Sequence, residues 1–414
     1  MTGKPRIGVF HPGTQHSWQT ALAFQEAGML GWYATSVFYD PARWPYRVER
    51  LLPGGLRQRL NAEFRRRYTP VLDPARVRHL DPIEWFETAA TRLGFLRMGR
   101  WLNIAGNKSF ARAVAKLCER EPVDLLWGYD TAALELFEWA KPRGIRCVLD
   151  RTIAHPNHTT RMMTAAFQRH PEFFAAPYVG QSAALIERQD RELALADQVV
   201  VGSAMCARTL VAAGCAAEKI HVVPYGFDET LFPSAPPKRR PLGGRPLRFL
   251  FVGQIGVRKG VPDLLKAFAA IAPRHASLDL VGPRVVPNAA LAPYEARVTL
   301  HPPVGRDAVA GFYAEADCFV FPSLSEGSAI VLAEAVGAGL GILQTVWGGE
   351  GADHGQSGLV IDDVDQLPGA LDQILGNPAV VEDWQAAVWA RAPGRRWRDY
   401  RVKAAALAAE WAAA

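Results

Sequence analysis

The segment Ala316-Asp317-Cys318-Phe319-Val320-Phe321-Pro322-Ser323 constrains the fold most, because its pattern occurs twice. Ala196-Asp197-Gln198-Val199-Val200-Val201-Gly202-Ser203 has the same parts in the same order. A short, continuous apolar run between turn signals reads as a buried strand of a parallel sheet. In the second copy Pro322 ends the strand and a Ser/Glu/Gly turn follows. An Ala-rich stretch of helical period then runs to Gly337 and Gly339, which close it. Strand, tight turn and helix, repeated in two halves, predict an α/β chain with parallel sheets and ligands at the strands' carboxyl ends.

The rest of the chain fits that alternation. Strands are expected at 6–10, 124–129, 146–150 and 197–201, with helices at 18–27, 110–119, 131–140 and 181–195. Residues 43–105, rich in Arg, Pro and Trp, read as a helical insertion. The Pro/Arg/Gly-rich stretch 236–245 is the best linker, and the second half restarts with a strand at 247–252. A length of 414 residues suits two α/β domains. They are expected at 1–235 and 245–395, with a closing helix over 396–414.

Composition narrows the class. Hydrophobic residues make up 49% of the chain, with no run approaching ~18 apolar residues, so no membrane span is expected. No signal-peptide apolar core follows Met1. Five scattered cysteines without Cys-x-x-Cys spacing suit reduced thiols in a cytoplasmic protein. Charge is uneven: residues 43–78 hold ten Arg against three acidic residues, a local surplus of +7 beside +6 for the whole chain. That segment suits either the solvated face of an inserted hairpin or peripheral contact with an anionic membrane at its inner face. Nucleic acid is not expected as a partner, since no recognised binding motif accompanies the basic stretch.

Two constellations carry chemistry. Glu326 sits in the turn after the second copy's strand, and Glu334 lies about two turns into the following helix. Two residues eight apart on one helix would be ~12 Å apart. That suits two hydroxyl-bearing ends of one ligand with a phosphate between them, since helix N-termini bind anions. The second constellation is Phe251-Val252-Gly253-Gln254-Ile255-Gly256-Val257-Arg258-Lys259-Gly260. Here strand, glycine loop and helix again present N–H groups, with two adjacent cations at the helix entrance. Asp362-Asp363-Val364-Asp365 reads as helix capping and not as a metal site. No zinc spacing, Gly-x-Ser-x-Gly or P-loop is present.

Within Pro322-Ser323-Leu324-Ser325-Glu326-Gly327 and Glu334-Ala335-Val336-Gly337-Ala338-Gly339, the Glu-x7-Glu pattern resembles the retaining family-4 (group 1) glycosyltransferases. The resemblance covers residues 180–400 best. It implies the GT-B fold: two Rossmann-like domains facing across a cleft, with a C-terminal helix crossing back to the first. It also implies a retaining, metal-independent transferase without a cofactor, whose substrate is a nucleotide-diphosphate sugar. By the resemblance, Glu326 lies beside the donor sugar and Glu334 holds the ribose, while Gly327, Ser328, Ala329 and Ile330 turn N–H groups to sugar and diphosphate. Lys259 matches the family's diphosphate cation. Gln254 stands where the family has Arg, so Arg258 is the expected substitute. Gly253, Gly282 and Val304 correspond to donor loops, Gly13 to the glycine under the phosphate, and His155 to a histidine reaching the sugar. Lys259, Glu326 and His155 are thus the expected catalytic residues, with His16 and Trp18 on the acceptor side. The acceptor implied is a glycan or lipid-linked molecule of cell-surface polysaccharide or glycolipid synthesis. A catalytically silent nucleotide-sugar-binding subunit is the alternative.

Overall fold

The computed structural model describes residues 4–13, 16–36, 38, 54, 70–80, 96–232, 235–237, 239 and 241–413. Among them, β1 (Ile7–Phe10), β2 (Leu30–Thr35), β3 (Val77–His79), β4 (Leu125–Tyr129), β5 (Arg146–Arg151), β6 (Gln198–Val201) and β7 (Ile220–Val222) form one sheet. Its order is β3-β2-β1-β4-β5-β6-β7. The second sheet holds β8 (Leu247–Val252), β9 (Ala276–Val281), β10 (Thr299–His301), β11 (Cys318–Phe321), β12 (Gly341–Thr345) and β13 (Gly358–Ile361), ordered β10-β9-β8-β11-β12-β13. The pairings are parallel, for example Ile7 opposite Leu125 and Cys318 opposite Phe249. Both sheets are doubly wound. The direction of winding reverses beside β1 and β4 in one and beside β8 and β11 in the other, the place where such sheets bind ligands.

Helices connect the strands, as parallel pairing requires. They are α1 (Ser17–Glu26), α2 (Leu96–Arg120), α3 (Leu134–Ala140), α4 (Pro156–Arg169), α5 (Ala183–Leu195) and α6 (Ala204–Val211), then α7 (Val261–Ala269), α8 (Asn288–Leu291), α9 (Arg306–Glu315), α10 (Ile330–Gly337), α11 (Leu367–Gly376), α12 (Val380–Arg391) and α13 (Trp397–Ala413). By its internal contacts the chain divides into two compact units. One comprises Met1–Asp150, Glu187–Val200 and Arg401–Ala414, and the other Arg151–Ile186 and Val201–Tyr400. The chain thus returns to the first unit within α13.

Local chemistry explains several of these elements. In α13, the Asp399 carboxylate accepts from the N–H groups of Gly394 and Arg396 at 3.1 and 3.0 Å, tying down the approach to the helix. Farther along, Trp411 stacks on Trp127 with centroids 6.0 Å apart, and Arg401 donates to Glu26 at 2.8 Å. Burying an aromatic side chain is worth roughly 1.5–3 kcal/mol, so the Trp pair fastens this helix better than the partly exposed ion pair does. In the second unit, Phe251 and Phe321 stack at 6.1 Å, joining β8 to β11 at the core.

Two differences from the sequence reading concern residues 43–105. Val77–His79 is a strand, paired with β2 through Tyr33 and Val77. The helix expected at 110–119 is the longer α2, which already begins at Leu96. Most of the basic stretch 43–78 lies outside the described residues, and with it the membrane expectation. Among the described residues no helix is long and apolar enough to cross a membrane.

Candidate functional site

The site in the second unit is built by two loops that follow β8 and β11. After β8, Gly253 (φ +146°) turns the chain, and a short 3-10 turn, Val257–Lys259, leads to Gly260. Gly260 has φ +69°, and a Cβ there would stand 1.9 Å from the Pro322 carbonyl oxygen. Only glycine permits both that conformation and that approach. The loops are then laced together. Leu324 N–H donates to Arg258 O at 2.9 Å, and Arg258 Nη1 donates to Ser325 O at 2.8 Å.

The lacing delivers two cations to one carboxylate oxygen. Glu326 Oε1 accepts from Lys259 Nζ at 2.6 Å, Arg258 Nη1 at 2.7 Å and Ser323 Oγ at 2.7 Å. Two cations against one carboxylate leave a local surplus of positive charge. Burial pushes the Lys259 ammonium below its usual pKa, and the Glu326 charge opposes that push. Lys259 also stands 4.9 Å from the Phe321 ring centroid, a cation–π contact. This cluster can neutralise an anionic ligand at the carboxyl ends of β8 and β11.

Glu334 belongs to α10, where its carboxylate accepts from the Tyr313 hydroxyl at 2.9 Å. Burial pushes its pKa up, with Tyr313 opposing. Its position departs from expectation. The helix starts at Ile330, after an extended Ala329 (φ −76°, ψ 111°). Glu334 therefore lies little more than one turn into the helix, not two. The cause is crowding: a Cβ on Gly327 would be 2.0 Å from Thr152 O, and one on Gly202 would be 2.2 Å from Ser328 Cβ. The helix begins only beyond this crowded stretch, after Ala329.

Gly282 follows β9. A Cβ there would stand 2.0 Å from Gly253 O, so the glycine admits the neighbouring loop. His155 is buried and caps α4, its Nδ1 accepting from Asn157 N–H at 3.2 Å. Its neighbour His158 reaches Leu324 O at 3.3 Å, and Thr159 Oγ1 meets Ser325 Oγ at 2.8 Å. The start of α4 is therefore fixed against the Glu326 turn. Gln254 and Val304 are exposed. Asp363 caps the 3-10 turn Val364–Gln366 by accepting from Asp365 N–H. Among the described residues no group of three or more His, Cys, Asp or Glu side chains could hold a metal ion.

Gly13, His16 and Trp18 belong to the first unit, beyond β1. His16 Nε2 lies 3.7 Å from Asp150 Oδ1, and Asp150 also accepts from Trp127 Nε1 at 3.2 Å. Sequence reasoning missed Tyr313 and Ser323 as partners of the two glutamates. Ser323 was visible within the quoted motif, whereas Tyr313 comes from α9 and no spacing links it to Glu334.

Residues 246–377 match the family of group 1 glycosyl transferases. Over those residues the chain is similar to the group 1 glycosyl transferases. The chain is 30% identical over 200 residues to a D-inositol 3-phosphate glycosyltransferase of Arthrobacter sp. (strain FB24), covering 44% of this chain and 48% of the relative. A protein of the same name from Xylanimonas cellulosilytica is 30% identical over 248 residues, covering 53% of this chain and 58% of that one. The matches thus span about half the length of these curated relatives. Among solved structures, a sucrose-phosphate synthase from Thermosynechococcus elongatus has a TM-score of 0.68 at 17% identity, covering 99% of this chain and 100% of that one. Anabaena HepE, solved with UDP-glucose, has a TM-score of 0.60 at 15% identity, covering 98% and 100%. At such identities the likeness is one of fold, and that fold is GT-B, with two Rossmann-like domains.

Proposed function

We propose that this protein is a glycosyltransferase that moves a sugar from a nucleotide-diphosphate donor to an acceptor hydroxyl with retention of anomeric configuration. The observation that carries the reading is the pairing of Arg258 and Lys259 on Glu326 at the start of the α10 turn. A diphosphate leaving group develops negative charge as the glycosidic bond breaks. Fixed cations and N–H groups stabilise that charge best when they need no reorganisation. Glu334, anchored by Tyr313, is the ribose ligand in this reading. The acceptor hydroxyl attacks from the face the diphosphate leaves, and a departing phosphate oxygen takes its proton. His155 serves at the donor sugar, and His16 and Trp18 serve on the acceptor side.

The acceptor is a glycan or lipid-linked molecule of surface polysaccharide or glycolipid synthesis, and the protein works in the cytoplasm. The curated relatives are named for an inositol phosphate, which makes that compound the first small acceptor to try. A catalytically silent subunit would have no need to keep Glu326, Glu334 and Lys259 together. The test is a thermal-shift panel of UDP-, GDP- and dTDP-sugars, followed by a transfer assay with the stabilising donor. Stabilisation by one donor series with product of retained anomeric configuration is expected. No stabilisation by any donor, or an inverted product, would sink the reading.

The same charge arrangement makes metal unnecessary. Transfer in excess EDTA is expected to match transfer without it. Loss of activity that Mn²⁺ or Mg²⁺ restores would return Asp363 and Asp365 to consideration as ligands.

A further inference from the structure

In the first unit, Thr131 follows β4 with φ +68°. Among the described residues no other non-glycine residue has a positive φ. The left-handed region crowds the Cβ of any L-residue, and a β-branched side chain suits it least. Such strain persists only where neighbours hold it, and here three side chains do. Asn107 Nδ2 of α2 and Arg188 Nε of α5 donate to Thr131 O at 3.2 and 2.9 Å. The Thr131 N–H donates to Glu192 Oε2 at 2.8 Å.

Glu192, also on α5, is fully buried. Its other oxygen, Oε1, accepts from the N–H groups of Ala133 and Leu134 at 3.1 and 3.2 Å. Three backbone donors shared by both oxygens suit the ionised carboxylate, since a protonated oxygen would itself donate. Burial works against that charge. The cation facing it is Arg188, whose Nε lies 3.7 Å from Oε1. That guanidinium is already committed to Glu135 of α3 through two hydrogen bonds of 2.8 and 2.5 Å. Asp130, at the end of β4, adds a like charge. Glu138 of α3 and Lys108 of α2 act one step away, on Arg188 and Glu135. With burial the largest influence, Glu192 is pushed up to about 7.

We propose that Glu192 is a proton-controlled latch on the turn 130–134. Ionised, it holds Thr131 in the left-handed conformation. Protonated, it carries the proton on Oε2, where one N–H bond is lost and not two, and the strained turn relaxes. The turn lies at the carboxyl end of β4, beside the point where the winding of the first sheet reverses. Acid therefore loosens the edge at which such sheets bind ligands. The latch does not depend on the transfer reaction proposed above.

Burial sets the direction with pH. The folded protein takes up this proton more readily than the unfolded chain does. The stability Glu192 contributes is thus full below its ordinary value of 4.5 and is lost as the pH rises through about 7. Glu192→Gln keeps the shape without the charge. The test is hydrogen exchange read by mass spectrometry on the intact protein, at about pH 8 and about pH 5.5, with rates corrected for the intrinsic effect of pH. In the wild type, amides 131–134 should lose protection about tenfold or more at the lower pH, the loss of one hydrogen bond to a charged group. In Glu192→Gln they should exchange fast at both pH values. The variant should also melt at or above the wild-type temperature at about pH 8, with the difference narrowing at about pH 5.5. Three results would each overturn the proposal. They are wild-type protection that does not change with pH, a variant that follows the wild-type pH course, and a variant that melts well below the wild type at about pH 8 or fails to fold.

Discussion

Lys259→Ala should lower kcat/KM for the nucleotide-sugar donor by about 10- to 150-fold, the equivalent of roughly 1.5–3 kcal/mol for one charge-assisted hydrogen bond. The loss should appear at subsaturating donor, where both binding and transition-state stabilisation count. Glu326 keeps Arg258 and Ser323 as partners at 2.7 Å each, so the variant leaves no bare buried carboxylate and should fold. An unchanged melting temperature with reduced kcat/KM therefore separates lost chemistry from lost structure. Lys259→Arg should recover only part of the loss, because a planar guanidinium does not replace a compact ammonium over the Phe321 ring. Near-wild-type kcat/KM in Lys259→Ala would remove Lys259 from the donor site. Arg258→Ala is the companion test. Arg258 shares the same Glu326 oxygen and also binds Ser325 O, so its loss should reduce activity and loosen the turn as well.

How much of this was legible depended on whether a local signal existed. The strands around both sheets' switch points are apolar runs bounded by Pro or Gly, and β8 and β11 lie where those runs predict. The two motif loops also follow strands as expected, and the structure brings Lys259, Arg258 and Glu326 together. The short strand Val77–His79 was not legible, since its Val-Arg-His composition carries no apolar run. It is an edge strand, where polar residues are ordinary. The late start of α10 was equally hidden. Helical period continues through Ser328 and Ala329, but Thr152 and Gly202 crowd Gly327 and Ser328, and the helix begins only after the extended Ala329. These contacts come from residues more than a hundred positions away in the chain, so no window of sequence contains them. Gly282 shows the same limit. Its glycine was noticed, yet what the glycine admits is the Gly253 carbonyl, a pairing of two loops.

The last expected result divides the two glutamates by what each holds. Glu334→Gln should weaken free nucleoside diphosphate and nucleotide sugar alike, about tenfold, since an amide accepts more weakly from ribose hydroxyls than a carboxylate does. Its fold should survive, because the amide oxygen can still accept from Tyr313. Glu326→Gln should act differently. Glu326 pairs with both Lys259 and Arg258, so a diphosphate at this site would compete with it for the same cations. Neutralising it releases that charge, and affinity for the free nucleoside diphosphate should be held or raised. Turnover should nevertheless fall, because the cations lose the anchor that sets their positions and the sugar loses its neighbouring carboxylate. Calorimetric titration of both variants with nucleoside diphosphate, beside kcat for transfer, reads the difference directly. If Glu326→Gln loses the nucleotide while Glu334→Gln keeps it, the motif lies in the opposite orientation. If neither variant differs from wild type, the cluster around Glu326 serves only to join the loops after β8 and β11.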